Sequence, residues 1–169
     1  LQEGDAFQDF VGPLGCPSDL IEEDIEELKK KKIVFIAGGV GTAPVYPQVK
    51  WLHEHGVDCD VIMGSRNKDL LILEDEMKKV ATNLYVTTDD GSYGTKGYVS
   101  TIIDQMTQNF AAIYSCGAPG MLKYIDKKFE NHPHAYLSME SRMACGMGAC
   151  YACVVPVKGR SETENKRVC

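Results

Sequence analysis

The sequence predicts a doubly wound, five-stranded parallel α/β sheet followed by a small cysteine-rich C-terminal lobe. Three observations carry that expectation. Short apolar runs alternate with amphipathic helical stretches at roughly 25-residue spacing. The first apolar run ends in a glycine-rich turn that leads directly into a helix. Four of the seven cysteines fall within the last 25 residues.

The elements follow in order. Ile33 to Ala37 is a continuous apolar run ending in Gly38-Gly39, the pattern of a strand buried on both faces. Thr42 to His55 carries Val45, Val49 and Leu52 at helical spacing, and Val57 to Gly64 is a second strand. Leu70 to Val80 is helical through Leu70, Leu73 and Met77, and Leu84 to Thr88 is a third strand. Gly97 to Met106 places Val99, Ile102, Ile103 and Met106 on one helix face, and Ala111 to Ser115 is a fourth strand. Pro119 suits the first turn of a helix that runs on from Met121 to Phe129, and Ala135 to Leu137 is a short fifth strand. Ahead of the sheet, acidic Asp19 to Glu27 and basic Lys29 to Lys32 read as an exposed linker or short helix. The opening residues, Leu1 to Gly15, read as a strand end and a turn continuing from a longer chain.

Composition narrows the function classes. The 169 residues suffice for one ordinary domain and a small appendage. A formal charge of −6 argues against nucleic acid or an anionic membrane as the main partner. No run of apolar residues is long enough to span a bilayer, and no signal pattern opens the chain, so a cytoplasmic protein is expected. Without a secretory signal, an odd count of seven cysteines favours one metal site over a disulfide framework. Cys16, Cys59 and Cys116 are then ordinary buried or loop thiols.

The turn after the first strand reads Gly38-Gly39-Val40-Gly41-Thr42-Ala43-Pro44. A strand that passes through glycines into a helix presents free N–H groups at the positive helix end, where a pyrophosphate binds. The glycines let the backbone approach the phosphates, although the order is not that of the usual dinucleotide fingerprint. A tight turn without a ligand fits the same residues. Three further strand ends favour a binding crevice: Gly64-Ser65-Arg66, Thr87-Thr88-Asp89-Asp90-Gly91 and Cys116-Gly117-Ala118-Pro119-Gly120. In open parallel sheets ligands lie outside the carboxyl ends of the strands. Arg66 is placed to meet an adenosine phosphate or ribose, or is simply solvated, and the choice between NAD and NADP stays open. Gly38 to Pro44, Gly64-Ser65-Arg66 and Cys116-Gly117-Ala118-Pro119 resemble the pyridine-nucleotide domain of the ferredoxin–NADP reductase superfamily. That resemblance implies NAD(H) binding at Gly38 to Pro44, Gly64, Ser65, Arg66, Cys116, Gly117 and Pro119, with Cys116 near the nicotinamide, and the loop after the third strand adds Asp89 and Gly91 to the expected crevice. It also implies an FAD-binding β-barrel preceding these residues and missing here, of which Gly12-Pro13-Leu14-Gly15 resembles the last stretch.

Cys145, Cys150 and Cys153 have the spacing C-x4-C-x2-C, and Cys169 follows after fifteen further residues. This is the clustered pattern of plant-type [2Fe–2S] ferredoxins, with Gly146 and Gly148 permitting tight curvature and N–H contacts to sulfur. Structural zinc uses paired C-x2-4-C knuckles, and only one C-x2-C is present. The run from Ser138 to Cys153, containing E-S-R-M-A-C-G-M-G-A-C-Y-A-C, resembles the iron–sulfur segment of the electron-transfer subunits of NAD-linked dihydroorotate dehydrogenase. The resemblance extends over the whole chain and implies Cys145, Cys150, Cys153 and Cys169 as the cluster ligands.

The implied division is residues 1–31 as barrel end and linker, 32–138 as the dinucleotide domain and 139–169 as the cluster lobe. The implied role is an oxidoreductase subunit of pyrimidine biosynthesis, passing electrons from an FMN-containing catalytic subunit through [2Fe–2S] and FAD to NAD in a heterotetramer. No general acid or base is assigned, and Glu140 and Arg142 are candidates for docking or an internal ion pair. Without the barrel, the 169 residues are expected not to turn over. The competing readings are a related subunit serving a ferredoxin–NAD(P) or sulfur-reducing complex, and a zinc-stapled interaction module.

Overall fold

A computed structural model describes residues 2–15, 17–157 and 165–169. Cys16 lies outside the described residues. The chain divides into two compact units, Glu23–Met139 and Leu1–Glu22 with Glu140–Cys169. No helix among the described residues is long and apolar enough to cross a membrane.

The larger unit is a six-stranded sheet flanked by helices. In chain order its elements are α1 (Ile25–Leu28), β1 (Ile33–Gly38), α2 (Thr42–Glu54), β2 (Cys59–Ser65), α3 (Glu74–Val80), β3 (Asn83–Thr88), β4 (Thr95–Lys96), α4 (Val99–Gln105), β5 (Ala112–Cys116), α5 (Pro119–Lys128) and β6 (Ala135–Ser138). The strands lie in the order β4-β3-β2-β1-β5-β6, and every neighbouring pair is parallel. Strand alternation sends Val34, Ile36, Ile62 and Ile113 to one face, where Val99, Ile102 and Ile103 of α4 and Ile125 of α5 close over them. Phe35 and Ala37 point to the other face, toward α2 with its buried Val45, Val49 and Leu52, and α3 with its buried Met77. The central strands are buried throughout because helices cover both faces, which is why they read as unbroken apolar runs.

Three local features depart from the sequence reading. A sixth strand, β4, pairs its two residues with Thr87 and Thr88, too short to leave an apolar pattern. The helix expected from Leu70 begins only at Glu74. Asn67 caps a separate turn at Lys68–Leu70 by accepting the Leu70 N–H at 3.2 Å, and Leu73 then takes a left-handed φ of 57°. The opening residues form no strand over 2–15, since a strand needs a hydrogen-bonding neighbour. The linker ahead of the sheet does form a short helix, α1, capped by Asp24 and anchored by buried Leu28.

The smaller unit is built on a two-stranded antiparallel ribbon, β7 (Val154–Pro156) and β8 (Asn165–Arg167). Around it the chain is held by turns, and Leu14 lies against Gly146.

The connection order places one constraint at the centre of the sheet. The chain winds outward from β1 to β4, then returns to start β5 on the other side of β1. The turns leaving β1 and β5 therefore meet, and a Cβ on Gly41 would lie 2.3 Å from the Cys116 carbonyl oxygen and 2.8 Å from the Gly117 nitrogen. The Gly41→Ala substitution should cost about 1–3 kcal/mol, because backbone rather than a pliable side chain must yield. Gly120→Ala, on a helix with open space around it, should be neutral or stabilise by about 0.4–1 kcal/mol. Thermal unfolding of the two variants tests this, and equal midpoints would refute the contact.

Candidate functional site

The carboxyl edge of the sheet gathers the glycine turns. Gly38 pairs in register with Gly64, and Ser65 with Thr88, while Cys116 lies beside Ala37 on one side and Ser138 on the other. Gly38 and Gly117 also approach closely, since a Cβ on Gly117 would stand 3.0 Å from the Gly38 Cα. Beyond Gly39–Gly41, a single 3-10 turn, the helix α2 starts with no side-chain cap on its N-terminus. The Thr42 N–H bonds the Gly39 and Val40 carbonyls and Pro44 has none, so what this end offers an anion is the positive pole of the helix dipole. Gly41 and Thr42 are buried, whereas Val40, Ala43 and Pro44 are exposed.

The neighbouring loop is held rigidly. The Thr88 hydroxyl donates to the Tyr93 carbonyl at 2.6 Å and accepts the Tyr93 N–H at 3.0 Å. The Asp89 N–H reaches the Ser65 carbonyl at 3.0 Å, and the Asp90 carboxylate accepts the Ser92 N–H at 2.9 Å. Hydrogen bonds from the Ser92 hydroxyl and backbone hold Asp90 below the ordinary carboxylate range. Arg66 is exposed and forms no ion pair among the described residues, and Asp89 and Gly91 are exposed one strand farther along. Cys116 is buried at the end of β5, while Pro119 opens α5 in the exposed turn that follows. Thus Gly38, Gly41, Cys116 and Gly117 come together directly, and Gly64 and Ser65 extend the same edge. Sequence reasoning passed over Met121, whose sulfur lies 2.6 Å from where a Gly38 Cβ would sit and so lines this junction. The packing of a helix residue across two glycine turns leaves no local signal.

The C-terminal thiols form two pairs. The Cys150 N–H lies 3.3 Å from the Cys145 sulfur, and the Cys169 N–H lies 3.5 Å from the Cys153 sulfur. The first pair is made by the loop from Cys145 to Cys150, which curls through Gly146 at φ 66° and Gly148 at φ 80°. The second pair is made by the ribbon. Val154 stands opposite Arg167, and the Val168 N–H bonds to the Cys153 carbonyl at 3.0 Å, so Cys169 is carried to Cys153.

The local dipoles favour thiolate. N–H groups of Cys150 and then Met147 pull the Cys145 thiol down to about 6, aided by the Cys150 thiol and the Ala149 N–H. The Cys153 thiol is likewise lowered, first by the Cys169 N–H and then by its thiol, while giving that hydrogen bond pushes Cys169 up. No three Cys, His, Asp or Glu groups among the described residues surround a single position suited to one metal ion.

The profile of the oxidoreductase NAD-binding domain matches residues 35–127. That of the iron–sulfur cluster binding domain of dihydroorotate dehydrogenase B matches residues 140–169. The chain is 55% identical over 169 residues to the electron transfer subunit of dihydroorotate dehydrogenase B (NAD(+)) from Streptococcus mutans, covering all of this chain and 63% of that protein. The corresponding subunit of Geobacillus thermodenitrificans is 39% identical over 99% of this chain and 62% of its own length. The chain thus spans somewhat under two thirds of these relatives. Among solved structures, an NADH-dependent reduced ferredoxin-NADP oxidoreductase superposes with a TM-score of 0.72 at 36% identity, over 94% of this chain and 55% of the other. The chain belongs to the NAD-binding oxidoreductase family, and its C-terminal residues match the iron–sulfur cluster binding domain of dihydroorotate dehydrogenase B.

Proposed function

We propose that the chain is the dinucleotide- and cluster-binding part of the electron transfer subunit of an NAD-linked dihydroorotate dehydrogenase. The pairing of Cys145 with Cys150 and of Cys153 with Cys169 carries this reading. A two-iron centre takes two thiolates on each iron, whereas a mononuclear zinc site needs its ligands around one point. When bound, the [2Fe–2S] cluster supplies one-electron chemistry, and its partner in the dinucleotide domain exchanges electron pairs.

The residues of this chain would bind and orient. The uncapped N-terminus of α2 and the Gly38 to Pro44 turn receive the pyrophosphate of NAD(H), and Cys116, Gly117 and Pro119 border the nicotinamide. Gly64, Ser65, Arg66, Asp89 and Gly91 line the path toward the adenosine. FAD is carried chiefly outside these residues, and the partner is an FMN-containing catalytic subunit in a cytoplasmic heterotetramer of pyrimidine biosynthesis. The residue division of the sequence reading, 1–31, 32–138 and 139–169, is retained as the functional division. The identity to the Streptococcus mutans subunit, 55% against 36% to the ferredoxin-NADP oxidoreductase, favours this partner over a ferredoxin-linked one.

Iron and sulfide assay with electron paramagnetic resonance of anaerobically prepared protein tests the proposal directly. Two irons and two sulfides per chain and a signal on reduction are expected, and zinc without visible absorption would refute it. Cys145→Ser and Cys153→Ser should each lose the cluster, while Cys59→Ser, buried in β2, should keep it. In metal-free protein, alkylation of Cys145 should rise with pH through a midpoint near about 6, because the thiolate reacts and its N–H contacts stabilise it. Cys59, raised to about 12 by burial and by Asp60 and Asp58, should stay unreactive across that range. A single common midpoint for both would contradict the assignment. The isolated chain should bind NADH yet oxidise none without added flavin, and NADH consumption by the chain alone would show a redox route that bypasses FAD.

A further inference from the structure

One charged side chain of the C-terminal unit lies against the cysteine loop itself. Arg167 is the last residue of β8, directly ahead of the turn to Cys169. Its guanidinium donates to the Gly148 carbonyl and lies over the Tyr151 ring, 5.8 Å from the ring centroid. It also rests against the open face of Gly148, since a Cβ there would stand 3.8 Å from the guanidinium carbon. Among the described residues no carboxylate forms an ion pair with Arg167.

The contact falls on one particular peptide group. The Gly148 carbonyl belongs to the same planar peptide as the Ala149 N–H, in the loop whose next N–H, that of Cys150, lies 3.3 Å from the Cys145 sulfur. A cation on the oxygen end of a peptide fixes its plane and polarises it, which strengthens the hydrogen bond made by its N–H end. Gly148 at φ 80° provides a bend in the Cys145–Cys150 loop that a residue with a side chain rarely adopts.

We propose that Arg167 is a positioning residue that tunes the reduction potential of the centre held by the four cysteines, acting through the Gly148–Ala149 peptide on the sulfur of Cys145. The inference rests on the cluster reading above and adds to it a specific electrostatic lever. A four-thiolate centre gains one negative charge on reduction. A guanidinium and an aligned N–H beside one ligand stabilise that reduced state more than the oxidised one. The Tyr151 ring, with the guanidinium carbon 5.8 Å from its centroid, adds a cation–π contact that helps hold the group at the carbonyl.

The test is a redox titration of the cluster, read by electron paramagnetic resonance, in the reconstituted 169-residue chain and its Arg167→Gln and Arg167→Lys variants. Iron and sulfide are assayed in each. Arg167→Gln removes the charge but retains a donor, and its midpoint should fall below wild type with two irons and two sulfides still bound. Arg167→Lys retains the charge, and its midpoint should return toward wild type. An unchanged midpoint in Arg167→Gln with the cluster intact overturns the proposal. So does loss of the cluster in Arg167→Gln alone, because the residue would then serve assembly rather than potential. A wild-type chain that takes up no iron would instead defeat the underlying cluster reading, which keeps the two failures distinct.

Discussion

The meeting of the β1 and β5 turns is the constraint on which the sheet unit depends. A parallel sheet that winds first one way and then the other must leave a gap where the direction reverses, and ligands of such sheets occupy it. Here the gap is bordered by backbone. Gly41 faces the Cys116 carbonyl with no room for a side chain, and Gly38 faces Gly117 under Met121. Two strands that are neighbours in the sheet, yet distant in sequence, can hold their exit turns this close only if both turns lack Cβ atoms. The same absence lets the backbone lead straight from β1 into the positive end of α2. Packing and ligand chemistry thus make one demand on the same residues, and neither can be relaxed without the other.

The C-terminal unit is built on a different principle. It has little core of its own, and among its described residues Cys153 is the one deeply buried thiol. Its geometry comes from ribbon register and from glycine curvature. The ribbon carries Cys169 to Cys153, and the loop brings Cys150 to Cys145. With so little apolar surface buried, ligation of a metal centre would supply much of the free energy that orders such a unit. The depressed Cys145 and Cys153 thiols lower the proton cost of that ligation.

The sequence revealed what depends on local pattern and concealed what depends on distant pairing. The five principal strands appeared as apolar runs because helices cover both faces, and the thiols appeared by spacing because the first loop is short. The two-residue β4 left no trace, since its existence follows from the turn that Thr88 holds rather than from its own side chains. The start of α3 was misplaced because the Asn67 cap competes with the helix for the residues between them. The ribbon and the Arg167 contact were invisible for a related reason. Each joins residues well apart in the chain, and an arginine next to Val168-Cys169 has no periodicity to mark it.

Both sites solve the same electrostatic problem. The chain carries a formal charge of −6, and each proposed ligand is an anion: a pyrophosphate at one site and a thiolate-bound cluster at the other. A basic patch would be the usual answer, but the edge of the sheet offers oriented N–H groups, with Arg66 at its margin. The thiol loop likewise relies on N–H groups, with Arg167 behind them. Peptide dipoles act over a few ångströms, while the net charge is screened over about 8 Å in physiological salt. Short-range dipoles therefore prevail at the ligand, and the acidic surface sets only the long-range field. That arrangement lets an acidic protein hold two anionic groups, because the favourable terms come from backbone that glycine has freed.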